Sequence, residues 1–200
     1  MYARFAVATV VLMGAGLGRC FGLGIGDRIP SANVKMQNVD GRELAINDVA
    51  GPRGTLVIFS CNHCPYVKAW EARLVALGND AVTRGVGVIA INPNDPAAFP
   101  EDGLETMKTR ARADGYGFPY VMDADASVLA RAFGATHTPE AYLFDAKGVL
   151  VYHGAIDDNV QDAAGVTRHY LRDAIDAVVG GGKPSPAESK AIGCSLKLKS

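Results

Sequence analysis

The chain has 200 residues, 48% hydrophobic and 20% charged, with 20 Lys and Arg against 21 Asp and Glu for a formal net charge of −1. That is about one globular domain, which excludes collagen-like, coiled-coil and wholly disordered chains, and no basic block is present to bind nucleic acid. Four cysteines are too few for a disulfide scaffold, and a chain this long buries a core unaided, so each cysteine needs its own explanation.

Arg4 is followed by thirteen uncharged residues, Phe5 to Leu17. This is the length of a secretory h-region behind a positive n-region and too short to span a bilayer. Gly22-Leu23-Gly24 supplies small residues for cleavage, so residues 1–24 are expected to be a signal peptide and the protein to be secreted or periplasmic, or membrane-anchored if uncleaved. A lipoprotein reading of Cys20 is opposed by Arg19 before it. The Gly-x-Gly spacings here carry no nucleotide-binding meaning without a strand and helix around them.

The following segments alternate strand and helix. Leu44 to Val49 is a short element after the Asp40-Gly41 turn, and Thr55 to Phe59 is an apolar, β-branched run suited to a strand covered on both faces. Val67, Trp70, Leu74 and Leu77 make one helical stripe, which places Trp70 in the core. Val86 to Ile91 is a second buried strand, and Glu101 to Ala113 a helix. A short strand, Tyr120 to Met122, precedes a short helix, Ser127 to Phe133, capped by Ser or Asp. Ala141 to Phe144 and Val149 to Tyr152 form a hairpin about Asp145-Ala146-Lys147-Gly148, and Thr167 to Val179 is the last helix. The order predicts an α/β domain over residues 27–182, a mixed sheet with helices on both faces. Residues 183–200 read as a polar, mobile tail, apart from whatever Gly193-Cys194-Ser195 touches.

The chemistry is expected at Cys61-Asn62-His63-Cys64. A C-x-x-C where a buried strand turns into a helix places a thiol near free backbone N–H groups, which favour the thiolate. Two such cysteines can also close a disulfide, one sulfur attacking and the other resolving. An imidazolium at His63 would stabilise the thiolate further. Half a zinc site is the rival reading, but it needs a second ligand pair, and Cys20, Cys194, His137, His153 and His169 are scattered; no metal or cofactor is expected. Pro65 fits best in a first helical turn, which moves the helix start toward Cys64.

Phe59-Ser60-Cys61-Asn62-His63-Cys64-Pro65-Tyr66-Val67-Lys68, with Thr138-Pro139-Glu140 before a strand and Gly193-Cys194-Ser195 near the end, resembles the thioredoxin-like redoxins and the AhpC/TSA, peroxiredoxin-like proteins. The resemblance spans about residues 27–200. It implies a thioredoxin fold with Pro139 cis and opposite the C-x-x-C, where the backbone of Thr138 can pair with an extended substrate. It also implies two activities. A thiol-disulfide oxidoreductase would attack with Cys61 and resolve with Cys64. A thiol peroxidase would use Cys64, with Cys61 or Cys194 resolving; of the peroxidatic markers only Cys64-Pro65 is present, because Cys61 stands at the Thr/Ser position and Val57 at the Pro position.

Disulfide exchange is the reading adopted over a thiol peroxidase and a non-catalytic binding protein of the same fold, with Cys61 as nucleophile, Cys64 resolving, Asn62, His63 and Pro65 supporting, and Thr138 and Pro139 positioning the incoming chain. The partners implied are a protein or small-molecule disulfide, or a hydroperoxide, and a thiol electron donor. Glu140 reads as a solvated loop carboxylate, and none of Arg110, Arg112 and Arg131 is assigned to a peroxide.

Overall fold

The computed structural model describes residues 22–123 and 127–199; the rest of the signal-peptide expectation lies outside them. Strands β1 (Met36–Asn38), β2 (Glu43–Leu44) and β3 (Gly54–Phe59) precede helix α1 (Pro65–Thr83). Then come β4 (Val86–Asn92), α2 (Leu104–Ala113), β5 (Tyr120–Met122), α3 (Val128–Phe133), β6 (His137–Thr138), β7 (Glu140–Asp145), β8 (Leu150–Gly154), α4 (Tyr170–Val179) and β9 (Cys194–Ser195). One ladder runs β2-β1-β5-β4 and another β3-β7-β8, and β3 lies beside β4 in the middle. Pairing is parallel between β4 and β5 but antiparallel between β3 and β7, so the sheet is mixed.

Alternation along the central strand sorts the core. Leu56 and Ile58 of β3 join Trp70 and Leu74 of α1, Met107 of α2, and Leu171 and Ile175 of α4 on one face. Val57 and Phe59 turn to the other face, with Leu129 and Phe133 of α3, Ile89, Ile91 and Tyr142. Every residue of β3 is buried, as its apolar run requires. Trp70 is in the core, and its Nε1–H donates to Asp157 Oδ1 at 2.8 Å. Among the described residues no helix is long and apolar enough to cross a membrane.

Several boundaries depart from the sequence reading, three of them where a side chain captures backbone. Leu44 to Val49 is not one element: β2 ends at Leu44, and Ile46–Val49 is a 3-10 turn whose Asp48 accepts the Ala45 N–H at 2.7 Å. The helix expected from Glu101 is a 3-10 turn, Pro100–Asp102, followed by an extended Gly103 and then α2. At the last helix, Asp158 accepts the Thr167 N–H at 2.9 Å and holds that residue in the preceding loop, so α4 starts at Tyr170. The cap of α3 comes from Asp123, whose carboxylate oxygens accept the Leu129 and Ala130 N–H groups at 3.1 and 2.9 Å.

The tail is the largest correction. It pairs rather than dangles: Ser189 N–H donates to His153 O and His153 N–H to Ala187 O, both at 3.0 Å, and β9 pairs antiparallel with β6. Near the other end, Leu23 N–H donates to Phe133 O at 3.1 Å and Gly24 N–H to Asp27 Oδ2 at 2.8 Å, so the residues of the expected cleavage site also bond to the domain.

Candidate active site

Three segments meet at the end of β3: the loop Ser60–Cys64, the Thr138-Pro139 step, and β9. Pro65 occupies the first turn of α1, where its missing N–H costs nothing, and this makes Cys64 the residue that caps the helix. The Thr138–Pro139 peptide is cis, as the resemblance implied. Cys61 Sγ lies 3.2 Å from Thr138 Oγ1, and Cys64 Sγ lies 3.2 Å from the Thr138 carbonyl oxygen. Cross-strand pairing of Thr138 with Cys194 brings the third sulfur in, with Cys194 Sγ 2.7 Å from Cys64 Sγ. Cys61 and Cys64 are buried, at 2% and 0% exposure, while Cys194 is half-buried.

The three sulfurs do not share charge evenly. The Cys64 thiol is drawn well below its ordinary value by hydrogen bonding from Cys61, then by Cys194 and by the Val67 and Cys194 backbone N–H groups, which together outweigh burial. Cys61 moves the other way, because it holds the proton it shares with Cys64, is buried, and faces the Asp102 carboxylate. Burial and then Cys64 push Cys194 up as well. Of the three thiols, Cys64 is the one shifted toward its anion, and Cys61 and Cys194 are shifted away from theirs.

Asp102 was invisible to the sequence reading, yet it holds the loop. It is fully buried; Oδ1 accepts the Asn62 and His63 N–H groups at 2.7 and 3.3 Å, and Oδ2 accepts His63 Nδ1–H at 2.6 Å and Asn94 Nδ2–H at 2.7 Å. His63 thus turns to Asp102, with its ring stacked on Phe99 at 5.4 Å, and the groups that lower the Cys64 thiol are the neighbouring thiols and backbone N–H groups. The Asn62 side chain donates to Glu101 O at 2.9 Å and accepts from Tyr120 Oη–H at 3.0 Å. Arg110 reaches the loop only at the Asn62 carbonyl and pairs with Glu71.

Glu140 is not solvated. It is 2% exposed, and its Oε2 accepts the Thr136 and His137 N–H groups at 2.8 and 2.9 Å while Oε1 accepts His153 Nε2–H at 2.6 Å. This fixes the turn leading into Thr138. Neither carboxylate was expected; the signals available were an acidic residue directly after the Thr-Pro step and an Asp closing a Pro-initiated turn. Cys61, His63 and Asp102 also place one ligand atom each within 4.8 Å of one another, close enough for a metal ion. Both oxygens of Asp102 are already taken by N–H donors, so this group has the hydrogen bonding of a structural clamp.

A model of the AhpC/TSA family matches residues 25–153. An uncharacterized conserved protein from Geobacillus kaustophilus is 39% identical, with 88% of this chain and 93% of that one covered and a TM-score of 0.80. A hypothetical protein from Sinorhizobium meliloti 1021 is 35% identical over 89% of this chain and 96% of its own, with a TM-score of 0.81. A thioredoxin-like protein, solved in its oxidized form, is 17% identical over 80% of this chain and all of its own (TM-score 0.64), a likeness of fold. No curated protein matches. The chain belongs to the AhpC/TSA family of redoxins and has the thioredoxin fold.

Proposed function

We propose that the protein is a thiol-disulfide oxidoreductase in which Cys64, rather than the Cys61 of the sequence reading, is the attacking sulfur. The supporting observation is the seat of Cys194: an extended, cysteine-bearing strand lies on the Thr138 edge with its sulfur 2.7 Å from Cys64 Sγ. The site thus accommodates the arrangement that disulfide exchange needs, a thiolate facing the sulfur of an extended chain.

The Cys64 thiolate attacks one sulfur of a partner disulfide. A Cys64–partner S–S bond forms, the partner's own S–S bond breaks, and the second partner sulfur leaves as a thiolate that takes up a proton. Cys61 then loses its proton, attacks Cys64 and releases the first partner sulfur. The protein is left with a Cys61–Cys64 disulfide, and the partner has gained two electrons. Cys61 suits the resolving role because it stays beside Cys64 when an incoming chain displaces β9. A thiol donor, the partner class expected from the sequence, reduces the pair again. The charge-free run Phe5 to Leu17 behind Arg4 supports action outside the cytoplasm.

A hydroperoxide is the second reading, favoured by Cys194 standing beside Cys64 with the tail in place. Cys64 would attack the peroxide oxygen, become a sulfenic acid and release an alcohol or water; Cys194 would then condense with it, releasing water. The two readings part on single-cysteine replacements. Under exchange, Cys64→Ser abolishes disulfide reduction, Cys61→Ser traps a Cys64–partner mixed disulfide, and Cys194→Ser leaves turnover within about three-fold, a change of roughly 0.6 kcal/mol in barrier. Peroxide consumption that survives Cys61→Ser but stops with Cys194→Ser supports the peroxidase. Full disulfide reductase activity in Cys64→Ser overturns the assignment of Cys64.

A further inference from the structure

The tail is built like a bound ligand. From Cys194 onward it alternates Cys-Ser-Leu-Lys-Leu-Lys: Cys194 joins the sulfur cluster, Leu196 and Leu198 pack on the second core, and Ser195 and Lys199 face solvent. Backbone groups hold it in register. Thr138 pairs with Cys194 and His137 with Ser195, Leu196 N–H donates to Thr136 O at 3.3 Å, and the Asp95 N–H donates to Lys197 O at 2.8 Å. Asn94 Oδ1 accepts the Lys197 N–H at 2.8 Å. Such contacts recognise any extended chain and read side chains only at alternate positions.

One contact is selective. A Cβ placed on Gly193 would lie 2.2 Å from the Thr138 carbonyl oxygen and 3.2 Å from Pro139 N. Both are backbone atoms that cannot move aside, so the residue before the reacting cysteine must be glycine for the strand to seat.

We infer that the Thr136–Thr138 edge is a peptide site whose resident occupant is the protein's own tail, and that its external substrates carry the same signature. That signature is an extended segment with glycine directly before the reacting cysteine and apolar side chains two and four residues after it, in competition with β9. The inference rests on Cys64 exchanging with disulfides and names the class of disulfide it takes.

The test uses the reduced full-length protein and a seven-residue peptide copying residues 192–198, its cysteine held as a mixed disulfide with thionitrobenzoate. Cys64 attacks the peptide sulfur, the Cys64–peptide S–S bond forms, and coloured thionitrobenzoate leaves as its thiolate. The expected result is release at least about ten-fold faster than with peptides carrying Gly193→Val or Leu196→Asp, because a clash or a buried charge opposes seating. Gly193→Val in the protein itself should weaken the resident strand and speed the unaltered peptide by about three-fold or more. Equal rates for all three peptides on the wild-type protein overturn the inference, whether or not the protein variant folds. Dithiodipyridine, a small disulfide that needs no strand edge, separates the two failures. If it modifies Cys64 while the peptides go undiscriminated, exchange stands and the strand signature falls; if Cys64 is inert to it, both fall.

Discussion

Two buried carboxylates support the segments that carry the site and are built alike. Asp102 accepts two consecutive backbone N–H groups, those of Asn62 and His63, and a histidine at 2.6 Å; Glu140 accepts those of Thr136 and His137, and also a histidine at 2.6 Å. They differ in reach. Glu140 lies three and four residues from the N–H groups it binds, whereas Asp102 lies 40 and 39 residues away. A local clamp shapes only its own turn. The remote one ties the entrance of α1 to the β4–α2 connection and sets a negative charge near Cys61, which adds to Cys64 and burial in pushing that thiol up.

The largest effect should follow from removing the remote clamp. Asp102→Ala strands two loop N–H groups, His63 and Asn94 in a buried space and should lower stability by about 3–5 kcal/mol in urea unfolding. Asp102→Asn keeps the shape but drops the charge, so Cys61 should become alkylatable at lower pH than in the wild type. A loss for Asp102→Ala no greater than that for Glu140→Ala would break the distinction between remote and local clamping.

Glu140→Gln should cost less, about 1–3 kcal/mol, because an amide oxygen in the place of Oε2 can still accept both the Thr136 and His137 N–H groups. Its pH dependence sharpens the comparison. Burial works against the Glu140 anion, yet the His153 hydrogen bond and the Thr136 and His137 N–H groups hold its carboxyl below the usual range. A folded pKa below the unfolded one means that the ionised form stabilises the fold. This contribution is complete above the unfolded value, about 4.3, and is lost as the pH falls through the lower folded value. The gap between wild type and Glu140→Gln should therefore stay level from about pH 7 to pH 5 and close below about pH 4. A gap that stays open at about pH 2 would mean that the charge of Glu140 does not support the fold.

The same contrast explains what the sequence disclosed. Periodic apolar runs announce themselves, so β3, β4, α1 and α4 were legible from Thr55–Phe59, Val86–Ile91 and the Trp70 and Tyr170–Val178 stripes. The C-x-x-C and the Thr-Pro step were legible because their chemistry is local, and Pro65 already hinted that the helix starts after Cys64. Asp102 was not, since a carboxylate in a short turn carries no mark of the loop it will meet 40 residues away. The tail was misread for a different reason. Its strand alternates in the order Cys194, Leu196, Leu198, but Ser195 and Lys197 between those residues and prolines before them lower its apolar density, and only the Thr138 edge gives the alternation something to pair with.

The smallest effect is expected at Ser60. Its N–H donates to Ile91 O at 2.9 Å, but its buried hydroxyl has no hydrogen-bond partner among the described residues, directly before Cys61. A buried hydroxyl without a partner has given up its hydration for nothing, so its removal should not weaken the fold. Ser60→Ala keeps the backbone bond and should leave stability unchanged or raise it by up to about 1 kcal/mol, read by urea unfolding. Because neither Asp102 nor Glu140 touches this side chain, Cys64 should alkylate at the wild-type rate. A loss above about 1.5 kcal/mol, or a slower Cys64, would mean that the hydroxyl is bonded in solution and that a third polar support holds the loop beside the two carboxylates.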